Sequence, residues 1–113
     1  MRRLVYIAAP YANGDPISNI RLTFLVADEI LEHGGVPFLP LLWVFWHLVK
    51  PKRDELIDEL RAYMVTRCDA IFRLPGISRG ADLEVEAARE SGIPVFYAND
   101  IAALKEYLSQ DGR

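Results

Sequence analysis

The side chains best suited to chemistry fall in one stretch, Leu74-Pro75-Gly76-Ile77-Ser78-Arg79-Gly80-Ala81-Asp82-Leu83-Glu84. An apolar run ends there, the chain turns through Gly76, and a helix begins near Ser78 with Glu84 inside its first two turns. A helix start leaves backbone N–H groups free and carries the positive end of the dipole, so it suits an anion such as phosphate. Ser78 adds a hydroxyl, Arg79 adds a fixed charge, and Gly80 lets a ligand come close to the backbone. Glu84 shares its helix face with Ala81, Ala87 and Ala88, a carboxylate among small side chains that a ligand can reach. Glu86 turns instead toward Asp82, Arg89 and Glu90 and reads as a solvent residue. An ordinary explanation stands beside this one: serine before a helix is commonly an N-cap, and acidic residues in the first turns suit the dipole.

A second loop, Pro10 to Pro16, follows the apolar run Leu4–Ala9. Its Asn13-Gly14-Asp15-Pro16 is a turn sequence that leads into another helix. Tyr6, inside the run, is either plain core or a functional phenol; in both cases its hydroxyl needs a partner. His, Cys and Asp show no zinc-type or calcium-type spacing, so no metal or other cofactor is expected. Cys68 is the single cysteine, with neither a helix start nor a paired histidine to activate it. His33, in the last turn of the first helix, reads as a cap, and His47, among aromatics, as core or ligand-facing.

The elements that position these residues alternate. Leu4–Ala9 reads as a buried parallel strand. Ile20, Phe24, Ala27, Ile30 and Leu31 recur at helical spacing up to Gly34-Gly35. Val36–Leu39 is a second strand, and Leu41–Val49 a short helix or packed loop. Pro51 opens a helix with the stripe Leu56, Ile57, Leu60, Tyr63 and Met64. Ala70–Leu74 and Val95–Ala98 are the third and fourth strands, with a helix from Ser78 to Glu90 between them and another over Ile101–Leu108. This order implies right-handed βαβ units and an α/β fold, a small flavodoxin-like or Rossmann-like doubly wound parallel sheet of four to five strands. Such sheets bind ligands at the carboxyl ends of their strands. Pro10 to Gly14 and Arg73 to Gly80 then lie on the active edge, and Asp69, before the third strand, lies on the opposite edge with a local role.

Residues 1–113 are expected to form a single domain. Acidic residues outnumber basic ones, 16 to 13, which argues against a nucleic-acid polymer or an anionic membrane as partner. The run Leu4–Ala9 is too short for a signal peptide. Phe38–Val49, broken by Pro40 and His47, falls well short of the roughly 20 residues of a membrane span. With one cysteine, a reducing, cytoplasmic setting is expected. Leu41, Leu42, Trp43, Val44, Phe45 and Trp46 are too many large apolar groups for one short connection to bury, so a homodimer or larger homo-oligomer is expected.

Taken in order, these motifs resemble the nucleoside 2-deoxyribosyltransferase superfamily, including its 5′-monophosphate N-glycosidase relatives and its short bacterial and phage branch. Val5-Tyr6-Ile7-Ala8-Ala9-Pro10-Tyr11 is similar to the "YIAGP" opening. Arg67-Cys68-Asp69-Ala70-Ile71 is similar to the "cDa" strand start. Ser78 to Glu84, with Ala88 and Gly92-Ile93-Pro94-Val95, is similar to the "S-x-G-A-x-x-E…A…GipV" signature. The resemblance implies Glu84 as nucleophile, Tyr6 as the residue that orients it, and Ser78 as a holder of the 5′-phosphate. Ala9, Pro10, Tyr11, Asn13, Gly14, Asp58, Arg79 and Gly80 complete the expected site. The implied reaction is cleavage of the N-glycosidic bond of a nucleoside or nucleoside 5′-monophosphate. Two positions depart from the pattern: Ala9 stands at the glycine of "AGP", and Arg61 stands where an aspartate contacts the base. Asp58, one turn earlier, is the substitute for that aspartate. Arg61 also raises the alternative of a nucleotide-binding module without turnover.

Overall fold

In the computed structural model of the chain, which describes residues 2–11 and 13–110, the strand Leu4–Ala8 (β1) sets the layering. Val5, Tyr6, Ile7 and Ala8 are all fully buried, and successive side chains of a strand point to opposite faces, so both faces need cover. On one face Val5 and Ile7 join Ala70 and Phe72 beneath Val26, Ile30 and Leu104. On the other, Tyr6, Ala8 and Ile71 meet Val65, Ala81, Val85 and Ala88.

The covering helices and remaining strands follow in chain order: α1 (Pro16–Glu32), β2 (Val36–Phe38), α2 (Leu41–Val49), α3 (Asp54–Val65), β3 (Ala70–Arg73), α4 (Arg79–Glu90), β4 (Val95–Tyr97) and α5 (Ile101–Ser109), with a 3₁₀ turn over Ala98–Asp100. The four strands are all parallel in the order β2-β1-β3-β4. Helices α1 and α5 lie on one face, α3 and α4 on the other, so the sheet is doubly wound. The chain leaves β1 in one direction and β3 in the other, and the crevice of such a sheet opens between those two strand ends. Tyr6 is paired with Ile71, near the middle of the sheet. Asp69 sits on the opposite edge, where its carboxylate accepts the N–H of Leu4 at 2.7 Å.

Two details, the buried face of α1 and the start of α3, differ from what the sequence leads one to expect. The buried face of α1 is Thr23, Val26 and Ile30, while Phe24 and Leu31 are about half exposed. Thr23 can point inward because its hydroxyl donates to the Asn19 carbonyl at 2.9 Å, and a satisfied hydroxyl is cheap to bury. The third helix starts at Asp54 and not at Pro51. The N–H of Lys52 is held by His47 Nδ1 at 3.1 Å, which keeps Pro51–Arg53 in a connecting turn. Its buried apolar residues are Ile57 and Val65, with Tyr63 exposed under the Arg67 guanidinium. Leu41–Val49 is a helix with no buried residue, and Leu42, Leu48 and Val49 are strongly exposed. No helix among the described residues is long and apolar enough to cross a membrane.

Candidate active site

A cavity of about 320 Å³ opens at the carboxyl ends of β1 and β3. Two loops frame it, and they are tied together. Asn13 donates to the Ile77 carbonyl at 2.8 Å. Asn19 donates to the carbonyls of Tyr11 and Asn13 at 3.1 and 2.8 Å. Gly76 has φ +112°, and a Cβ there would stand 2.9 Å from Pro10 Cγ, so the second loop requires glycine for both conformation and space.

Ala9, Pro10, Tyr11 and Asn13 line the cavity from the first loop; Ser78, Arg79, Gly80 and Glu84 line it from α4, and Asp58 from α3. Gly14 lies outside its wall, in an exposed turn with φ +80°. Tyr6 also lies outside the wall, directly behind Glu84. Ser78 is the N-cap of α4, its Oγ accepting the N–H of Ala81 at 3.1 Å. That use leaves the hydroxyl proton free to donate. Arg79 pairs with Asp58 at 3.1 Å while three-quarters of its side chain remains exposed.

Glu84 is 3% exposed, on the face of α4 that packs toward the sheet. Helical spacing from Ala81 and Ala88 brings its carboxylate to the strand ends, where the Tyr6 hydroxyl donates to Oε2. Arg61 Nε stands 3.3 Å from the same oxygen. Both neighbours therefore engage Oε2, and among the described residues none hydrogen-bonds Oε1. Burial pushes the Glu84 carboxyl up to about 7, against the pull of Arg61, Tyr6 and Arg73 toward the charged form. Burial, and then the Glu84 charge, push the Tyr6 phenol far above its ordinary value, so it remains a donor.

Arg61 is the largest surprise of the site. Its guanidinium lies over the backbone of Gly80, where any Cβ would overlap it; the close approach that Gly80 permits is made by Arg61. Nη2 also stands 3.7 Å from Asp58. Charges thus alternate from the rim inward: Arg79, Asp58, Arg61, Glu84. In the sequence Arg61 stands out only as a departure from a pattern, and Asp54 and Asn19, which also line the cavity, do not stand out at all. A signal for the α3 residues was present, since Asp54, Asp58 and Arg61 recur at the i, i+4, i+7 spacing of one helix face. His47 faces the cavity, which it helps to line, with Nε2 3.5 Å from Asp54. Leu41 and Val44 share that inner face of α2.

The solved structure of a 2-deoxyribosyltransferase from the psychrotolerant bacterium Bacillus psychrosaccharolyticus superposes on this chain with a TM-score of 0.60 at 16% identity. The match covers 83% of this chain and 70% of that one. The chain shares that protein's fold. No family model matches the sequence, and no curated protein matches it. The doubly wound parallel sheet expected from the alternation of strands and helices is present, with four strands among the described residues.

Proposed function

We propose that the protein cleaves the N-glycosidic bond of a nucleoside or nucleoside 5′-monophosphate, as an N-glycosidase or deoxyribosyltransferase, with Glu84 as nucleophile. The observation that carries this reading is a nearly buried carboxylate on the cavity wall with one oxygen contacted by Tyr6 and Arg61 and, among the described residues, no hydrogen bond to the other. Glu84 Oε1 attacks C1′ of the sugar. The C1′–N bond breaks, the base departs with the bonding electrons and takes up a proton, and a sugar ester of Glu84 results. Water, or a second base, then displaces the carboxylate. The Tyr6 phenol hydrogen-bonds Oε2 and Arg61 sets its charge 3.3 Å from the same oxygen, which reduces the orientational cost of attack. The cavity volume suits a small molecule. Attack requires the charged carboxylate, so turnover rises as pH climbs through about 7.

Incubation with a panel of nucleosides and 5′-monophosphates, followed by chromatography for free base, tests the reaction. Release of base from at least one member is the expected result. Binding without release would support the second reading, a nucleotide-binding module without turnover, which Arg61 at the position of the expected aspartate favours.

The outer face of α2 supports self-association. Leu42, Leu48 and Val49 are mostly exposed, Phe45 and Trp46 nearly half, an apolar patch of the kind that marks interfaces. A homodimer or larger homo-oligomer covers it, and sedimentation that finds a monomer at tens of micromolar would remove this part of the reading.

A further inference from the structure

Glu84 touches Tyr6 on β1 and Arg61 on α3, and it feels the charges of Arg73 on β3 and Asp58 on α3. Only two of these are cations, and one is already committed. Arg73 donates to the carbonyls of Leu74 and Gly76 and pairs with Asp82 at 2.9 Å, which pins it to the β3–α4 loop. Arg61 is placed differently. Its Nε is buried and has no hydrogen-bond partner among the described residues, yet it stands 3.3 Å from Glu84 Oε2. A cation that is incompletely satisfied in a buried setting is costly to keep. Its seat is narrow too, since the guanidinium rests on Gly80 in space that a side chain at that position would fill.

We infer that Arg61 is the positioning residue of this site: seated on Gly80, it favours the charged form of the Glu84 carboxylate and lies against Oε2, so that Oε1 is the oxygen presented to the sugar. The inference rests on the reaction proposed above and adds to it the residue on which that reaction's pH dependence depends. Burial opposes the charge on Glu84, and the Tyr6 phenol supplies a hydrogen bond but no charge. Arg73 is anchored elsewhere, and Asp58 repels. Arg61 supplies the compensating charge at closest range, its Nε 3.3 Å from Glu84 Oε2 while its Nη2 reaches Asp58 at 3.7 Å. The geometry of Gly80 separates this role from general packing, because a methyl group there removes the seat and leaves the arginine in the chain.

The test follows Glu84 directly by its side-chain carboxyl carbon resonance in ¹³C-labelled protein, assigned by its loss in Glu84→Gln. Arg61→Gln should move the titration midpoint of Glu84 upward by about one to three pH units, the range for losing an adjacent opposite charge. Arg61→Lys should restore part of the difference, and Gly80→Ala should move the midpoint in the same direction as Arg61→Gln. The acid limb of base release should shift with it. Turnover at pH 7 should fall about fivefold or more, and at high pH the loss due to charge should disappear and leave only the loss due to positioning. An unmoved Glu84 midpoint in a folded Arg61→Gln protein overturns the inference. If that variant does not fold, an unmoved midpoint in Gly80→Ala overturns it equally. A wild type that releases no base from any substrate refutes the reaction instead, and the carbon titration still decides the role of Arg61.

Discussion

Helices α1 and α4 both begin at the rim of the same cavity, one after β1 and one after β3, and they are capped by different chemistry. At α1 the cap is a carboxylate: Asp15 accepts the N–H of Ile17 at 3.2 Å and the Ser18 hydroxyl at 2.8 Å. At α4 the cap is a neutral hydroxyl, Ser78, followed by the exposed cation Arg79. A helix start attracts one anion, and α1 carries its own. A ligand phosphate there would meet the Asp15 charge, whereas at α4 it would meet a free hydroxyl proton and a guanidinium with donors to spare. Loop position alone makes the two starts equivalent. Cap chemistry separates them and gives the proposed 5′-phosphate to α4, one and a half turns before Glu84.

The largest expected effect tests whether α4 also carries the reaction. Glu84→Gln keeps size and an acceptor for Tyr6 but removes the attacking charge. Turnover should fall by roughly 10⁴-fold, the scale on which loss of one member of a catalytic group acts, while ligand binding survives. Glu86→Gln, on the exposed side of the same helix, should be nearly silent in both assays. Base release persisting at near wild-type rate in Glu84→Gln would refute the mechanism.

Sequence order alone located the cavity edge, because the alternation of apolar runs and helical stripes fixes which strand ends face it. It also separated Glu84 from Glu86, since residues two apart on a helix point to different sides. Less legible was anything decided by how two helices meet. Phe24 and Leu31 look like core on a helical wheel, yet α1 turns Thr23 and Val26 inward, because its apolar residues exceed one face and Thr23 is satisfied by its own helix. Arg61 was invisible as a neighbour of Glu84 for a related reason. The contact depends on the close approach of α3 to α4 at Gly80, and a single glycine in a sequence does not reveal which chain will use the space it leaves.

A smaller effect concerns the phosphate. Charge-assisted hydrogen bonds contribute roughly 1.5–3 kcal/mol each, so a 5′-monophosphate should bind at least about tenfold tighter than its parent nucleoside. Calorimetric titration of matched pairs measures this. Ser78→Ala should erase much of the preference, and Asp15→Asn should leave it in place. Equal affinities in the wild type would reduce Ser78 to an ordinary cap and make the two helix starts alike after all.

The smallest effect concerns stability, where the two caps should differ little. Each accepts a first-turn N–H that otherwise has no intrahelical partner, so Asp15→Ala and Ser78→Ala should each cost about 1 kcal/mol in urea unfolding. Pro16 at the start of α1 limits the loss there, because its fixed φ already suits the first helical position. Asp15 also loses a favourable interaction with the dipole, so its cost should be the larger by a few tenths of a kcal/mol. Similar stability costs combined with unequal effects on monophosphate binding would establish that the difference between the starts lies in ligand chemistry and not in how well each helix is held. If Asp15→Ala weakens monophosphate binding as much as Ser78→Ala does, the first loop takes part in holding the anion, and the assignment of phosphate to α4 alone is wrong.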